Sequence, residues 1–255
     1  MEVGMIGVGH MGQAIVNGLL NKMDGSDLIL SNHRLNSAMQ NYADKQNVKV
    51  VTDNQELVAA KPKFLIFTTP APITLDVMKE ISGLDEETII LSAAGGVKLD
   101  DIQEIFPNNP VALLMPNTPV EVNQGTLGVA LGNQVKDADE IEAFLQQLGD
   151  VFIVPEKQFN IFGTVTGCGP AFVDVFLAAL GDAAVKNGLS RDLAYQAAAS
   201  MVKGSATLMQ ETKTAPDVLK DQVTTPGGST IRGVVALEKN AFRSAVIDAI
   251  DAANN

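Results

Sequence analysis

Three glycines near the N-terminus carry the first chemical signal. In "MEVGMIGVGHMGQAIVNGLL", Gly7, Gly9 and Gly12 are spaced G-x-G-x-x-G, directly after a strand-like run and at the opening of a helix-like one. In that setting glycines permit a tight turn, let the backbone approach a pyrophosphate and seat it at a helix N-terminus. Outside it, the same spacing is only a Gly-rich start to an apolar helix. A site for NAD usually places Asp or Glu about 20 residues on, to bind the ribose 2′-hydroxyl. Here "LILSNHRLNS" offers Ser31, Asn32 and Arg34 instead. Arg34 presents a planar set of donors suited to a 2′-phosphate, and Ser31 and Asn32 add hydrogen bonds. NADPH is therefore expected, with NADH as the second option. The competing reading of Arg34 is a solvated residue at a helix start. His33 is expected to be exposed rather than catalytic, and the only other histidine, His10, lies inside the glycine loop.

A second stretch with chemical potential is "KDQVTTPGGSTIRGVVALE". A Pro226-Gly227-Gly228 turn followed by Ser229 and Thr230 at a helix start presents backbone N–H groups and two hydroxyls, which suits a small carboxylate. The same residues also suit a capped tight turn, since Ser and Thr are common N-caps. Both readings stand on the residues alone. Cys168, between Gly167 and Gly169 with no evident base nearby, reads as a small packing residue rather than a nucleophile. No metal site is expected.

Around these stretches the chain shows two textures. Short apolar runs, "VGMIGV", "LILSN", "VKVV", "FLIFTT", "TIILSAA", "VALLMPN", "GVALG" and "VFIVP", alternate with helical stretches at about 10–23, 34–46, 72–82, 99–105 and 137–148. Near-continuous apolar runs suit strands of a parallel sheet covered on both faces, hence a doubly wound α/β domain. From about Gly167 the pattern becomes Ala-rich and helical without strand signals. Helices are expected from Pro170 to about Asn187, from about Arg191 to Met209, and in "APDVLKDQV", "STIRGVVALEKN" and "FRSAVIDAIDAAN". The expected division is 1–155 for dinucleotide binding and 156–255 for a helical domain. Too few helices are present there to cover one another's apolar faces, so a homo-oligomer, at least a dimer, is expected.

Composition narrows the classes further. At 255 residues and 46% hydrophobic, the chain can bury a sizeable core. A net charge of −12 disfavours sequence-independent nucleic-acid binding, which needs surplus Lys and Arg. Glu2 and four glycines in the first twelve residues do not fit a signal sequence. Each apolar run looks cut short of the roughly 18 residues a membrane span needs, so no membrane partner is expected. The single cysteine suits a reducing cytoplasm.

Taken in order, "MIGVGHMGQAI", "MPNTP", "TGCGPAF", "VKNGLSRDLA" and "VTTPGGSTIRGVVALEKNAFRSAVIDAI" resemble pyrroline-5-carboxylate reductase across nearly the whole chain. The resemblance implies a Rossmann-type N-terminal domain, an all-α C-terminal dimerisation domain, and reduction of 1-pyrroline-5-carboxylate to L-proline by NAD(P)H. It implies cofactor contacts from Ile6, Gly7, Val8, Gly9, His10, Met11 and Gly12, from Ser31 and Asn32, from Asn54, and from Thr68, Thr69 and Pro70. Gln222 is implied to lie near a cofactor from the partner subunit. Substrate contacts fall on Thr225, Gly227, Gly228, Ser229 and Thr230, with Thr230 reaching the ring nitrogen in the catalytic role. The chain also departs from the family: Thr69 stands where a lysine is common, Leu113 where an arginine is, and Cys168 and Phe172 in place of Ser and Tyr. Two alternatives remain. A β-hydroxyacid dehydrogenase would need a lysine soon after the Gly-rich helix start, where Phe172 and Val173 stand and none comes before Lys186. A cofactor-binding regulatory homologue with weak catalysis is suggested by the missing cations.

Overall fold

A computed structural model describes residues 2–33 and 37–254. The chain divides into two units, Met1–Gly167 and Cys168–Asn255. In the first, strand β1 (Val3–Ile6) leads into helix α1 (His10–Leu20), followed by β2 (Leu28–Ser31), α2 (Ser37–Gln46), β3 (Lys49–Val51), α3 (Asn54–Ala59), β4 (Phe64–Phe67) and α4 (Ala71–Lys79). Then come β5 (Ile89–Ser92), α5 (Leu99–Ile105), β6 (Val111–Met115), β7 (Gly125–Leu131), α6 (Asp139–Leu145), β8 (Gly149–Ile153) and α7 (Phe159–Gly163). Among the described residues the eight strands form one sheet in the order β3-β2-β1-β4-β5-β6-β7-β8.

Strands β1, β2, β4 and β5 are buried along their whole length, which their unbroken apolar runs foreshadow. Side chains alternate between the two faces. Met5, Leu30, Ile66 and Leu91 pack towards Ile15 and Leu19 of α1 and Phe144 of α6. Ile6, Ile29, Leu65 and Ile90 pack towards Leu57 of α3, Met78 of α4 and Ile102 of α5. Neighbouring β1 on both sides are β2 and β4, all parallel, with Ile6 in register with Ser31 and Phe67. The chain therefore reverses its winding at β1, and the carboxyl ends of β1, β2 and β4 open together, where ligands bind in such sheets.

The sheet is not wholly parallel, as the sequence suggested: β7 runs antiparallel to β6. Only residues 116–124 join them, fewer than the dozen or so a parallel crossover requires. Two helical pieces carried no recognised signal, α3, with Asp53 as its cap, and α7. After α7 the chain makes a π-turn over Thr164–Cys168. Within the first unit Asn117 donates to the Thr166 carbonyl at 3.0 Å and accepts from the Thr126 N–H at 2.9 Å.

The second unit is all helix: α8 (Gly169–Lys186), α9 (Arg191–Thr212), α10 (Pro216–Gln222), α11 (Ser229–Lys239) and α12 (Phe242–Ala253). Gly181 of α8 leaves no room for a Cβ against the Tyr195 ring of α9, so the two helices lie in close contact there. Phe176 of α8 meets Phe242 of α12 with ring centroids 5.9 Å apart. Yet only Gly181, Ala194 and Ala198 are buried in α8 and α9, and no residue of α10, α11 or α12 is. The expectation that no apolar stretch reaches membrane-spanning length is corrected here. The helical run Glu156–Lys186 is long and apolar enough to do so by length and composition, because Gly163, Gly167, Gly169 and Pro170 interrupt its sequence pattern without ending the helical path.

Candidate functional site

The glycine loop between β1 and α1 is shaped by close backbone packing. Gly7 sits at φ +87°, and a Cβ there would lie 2.6 Å from Cγ2 and 2.9 Å from the backbone nitrogen of Thr69. Both the left-handed conformation and the space call for glycine. At Gly12 a Cβ would lie 2.6 Å from Thr68 Oγ1 and 2.9 Å from the Gly7 oxygen, so this glycine lets α1 press against the β4 loop. Beside Gly9, by contrast, nothing lies within 4 Å. Gly9 is also the N-cap of α1, with no side-chain cap and no acid in the first turn. The N–H groups at the head of α1 thus face open space with the helix dipole behind them, a place for an anion.

Two further loops complete the cleft. Thr68 closes the glycine turn by donating its hydroxyl to the Gly7 carbonyl, and its N–H donates to Ile6 O at 3.0 Å. Thr69 is buried, its hydroxyl 2.8 Å from that of Thr74 on α4. On the β2 side Ser31, also buried, donates to Asn54 Oδ1 at 2.6 Å. Asp53 accepts from Gln55 N at 2.8 Å and so caps α3. Ser31 therefore orients Asn54, and its hydroxyl proton is committed to that contact.

Of the residues singled out in the sequence, Ile6, Gly7, Val8, Gly9, Ser31, Asn32, Asn54, Thr68, Thr69 and Pro70 line one cleft of about 730 Å³. His10, Met11 and Gly12 form the first turn of α1 behind it. Arg34 lies outside the described residues. The cleft also includes His33, Thr52, Asp53, Gln55, Ile73, Val77 and Glu80. Ile73 and Val77 could have been found, being one turn apart on the helix that follows the Thr68-Thr69-Pro70 loop. A second cleft, of about 640 Å³, lies at the opposite, amino edge of the sheet. Its residues Lys63 and Glu140 are joined at 2.7 Å, and that hydrogen bond holds the lysine above its usual range. Its lining comes from the amino ends of β4, β5 and β6 and from Gln134–Asp137 after the antiparallel β7, not from the carboxyl ends of the parallel strands around β1, so the α1 cleft is the candidate.

In the second unit the turn takes a definite form. Gly228 N donates to Thr225 O at 3.0 Å, Pro226 holds the second position, and Gly227 holds the third at φ +71°, as a type II turn requires. A Cβ on Gly228 would lie 2.6 Å from Thr225 Oγ1. Gly228, not Ser229 or Thr230, is the N-cap of α11, and no side chain caps that end. The capped-turn reading thus loses its cap, while uncapped N–H groups and two exposed hydroxyls remain. Gln222 ends α10 and is exposed.

Comparison with known proteins gives the following likenesses. Residues 156–255 match the family described as pyrroline-5-carboxylate reductase dimerisation, and residues 2–96 match NADP oxidoreductase, coenzyme F420-dependent. A pyrroline-5-carboxylate reductase from Synechocystis is 36% identical, over 99% of this chain and 96% of its own. One from Escherichia coli is 34% identical, over 98% and 94%. The crystal structure of Plasmodium falciparum pyrroline carboxylate reductase with NADP bound is 28% identical, with a TM-score of 0.84 over 100% of this chain and 95% of that one.

Proposed function

Since the chain belongs to the pyrroline-5-carboxylate reductase family, we infer that it converts 1-pyrroline-5-carboxylate to L-proline in the cytoplasm, the final step of proline synthesis. It is an NAD(P)H-dependent oxidoreductase acting on a C–N bond. The observation that carries the reading is a likeness spanning 99% of the chain, so that the glycine-loop cleft and the Thr225–Gly228 turn occur in one related whole. The dehydrogenase alternative lacks its lysine, since α8 has none before its last residue, Lys186. Reduction of pyrroline-5-carboxylate by the pure protein, followed as loss of NADPH absorbance, tests the reading directly. Cofactor binding without turnover would leave the regulatory alternative.

The described residues fit a dinucleotide: an uncapped helix head, open space at Gly9, and close backbone approach at Gly7 and Gly12. We assign the pyrophosphate to the head of α1 and the adenosine ribose side to Asn32 and Asn54, with Ser31 holding Asn54 in place. When bound there, NADPH supplies the hydride. The helix head at Gly228, Ser229 and Thr230 receives the substrate carboxylate, flanked by the Thr225 hydroxyl. As the imine carbon gains hydride, the C=N electron pair moves to the nitrogen, which takes up a proton. Thr230 hydrogen-bonds that nitrogen and passes the proton in from solvent. A cyclic imine is already electrophilic, and more so as its nitrogen gains that proton, so alignment and steadying of the nitrogen suffice. Gln222 is assigned to the cofactor of a partner copy.

Two expected outcomes arise here. NADPH should be preferred over NADH in kcat/KM, because no acid stands at Ser31-Asn32-His33-Arg34. Changing Asn32→Asp together with Arg34→Ala should reverse the preference by about tenfold or more, and steady-state kinetics with both cofactors check it. The second outcome concerns assembly. With Val175, Met201, Val235 and Ile247 each more than half exposed, the helical unit needs a second copy. Light scattering in detergent-free buffer should show at least a dimer. An active monomer, or a requirement for detergent, would contradict this and return the Glu156–Lys186 run to a membrane reading.

A further inference from the structure

Arg232 is the fourth residue of α11, near the positive end of the helix dipole, where acidic side chains are favoured and cations are not. The first turn holds no acid. The other two arginines among the described residues are matched to carboxylates: Arg191 to Asp182, and Arg243 to Glu238 at 2.7 Å and Asp217 at 3.1 Å. Among the described residues Arg232 has no carboxylate partner, although the chain carries 30 acidic side chains against 18 basic ones. Instead its Nη1 donates to the carbonyl oxygen of Gly227 at 2.7 Å. One of five donors is thus spent on a neutral group, and the charge is left uncompensated beside the uncapped N–H groups of the same helix. This side chain braces the third residue of the type II turn while adding positive potential where the dipole already favours an anion.

We propose that Arg232 is a positioning residue for the substrate carboxylate. It holds the Thr225–Gly228 turn through the Gly227 oxygen, and its charge makes the turn select a cyclic imine that bears a carboxylate over one that does not. The proposal rests on the assignment of that turn to the carboxylate. Its readout is the ratio of kcat/KM for pyrroline-5-carboxylate to kcat/KM for 1-pyrroline, which has the ring but no carboxylate, measured on the intact oligomer. Turnover of pyrroline-5-carboxylate by the unmutated protein tests the enzyme reading separately. For Arg232→Gln the ratio should fall about tenfold, chiefly through KM for pyrroline-5-carboxylate, with KM for NADPH within about twofold of the parent. Arg232→Lys keeps the charge without the planar fork and should fall between the two. Because both imines are measured on one preparation, lost stability or assembly scales both rates and leaves the ratio alone. An unchanged ratio in both variants, whatever their melting temperatures, would overturn the proposal.

Discussion

Thr230→Ala is expected to lower kcat and kcat/KM for pyrroline-5-carboxylate together by about a hundredfold, with little change in NADPH affinity. A contact that strengthens as the imine nitrogen gains its electron pair acts in the transition state, so its loss appears in kcat. The stability side of the comparison follows from the cap. Had Thr230 been an N-cap, alanine would cost about 1 kcal/mol. Gly228 holds that position, Thr230 is the second residue of α11, and among the described residues its hydroxyl has no hydrogen-bond partner. The melting temperature should therefore move little, as for an exposed substitution within about 0.5 kcal/mol. Thr230→Ser keeps a hydroxyl and should recover most of the rate. Normal turnover in Thr230→Ala would remove the catalytic assignment, and a lowered melting temperature with it would make Thr230 structural.

What could be read in the sequence, and what could not, divides along local and non-local physics. The central strands were legible because "VGMI", "LILS", "FLIF" and "IILS" are buried on both faces, so composition alone marks them. The glycine loop was legible because steric demand at Gly7 and Gly12 admits no other residue. The reversal of β7 was not, since it depends on counting residues 116–124 against the length of a crossover. Helix α3 escaped because six residues, "NQELVA", show less than two turns of periodicity, although Asp53 carries its capping signal. Ser31 is marked by its place at a strand end and lines the cleft, but its burial and its bond to Asn54 add a supporting role that only three-dimensional neighbours reveal. The same holds for Leu113 and Thr69, where the family often carries cations. Leu113 belongs to the apolar cluster on one face of the sheet and Thr69 pairs with Thr74, so neither position can supply charge.

Gly9→Ala and Gly12→Ala should fail in different ways, although both break the same motif. At Gly9 the added Cβ enters open space at φ −88°, a conformation alanine adopts without strain. Folding should be unaffected or slightly favoured, as alanine restricts the unfolded chain more than glycine. That open space is where the pyrophosphate is assigned, so the methyl group should weaken NADPH by about tenfold or more. At Gly12 the Cβ meets protein: the Gly7 carbonyl at 2.9 Å and the Thr68 hydroxyl at 2.6 Å, two atoms already bonded to each other. Neither can retreat without opening the glycine turn or lifting α1 from the β4 loop. Overpacking of this kind costs about 1–3 kcal/mol, so Gly12→Ala should lower the melting temperature of the protein without cofactor and weaken NADPH as well. Thermal unfolding with and without NADPH separates the two effects. For Gly9→Ala the midpoint without cofactor should match the parent while the stabilisation by NADPH shrinks, and for Gly12→Ala both should fall. Full NADPH stabilisation in Gly9→Ala would mean that the cofactor does not lie across the head of α1, and the assignment of the cleft would fail with it.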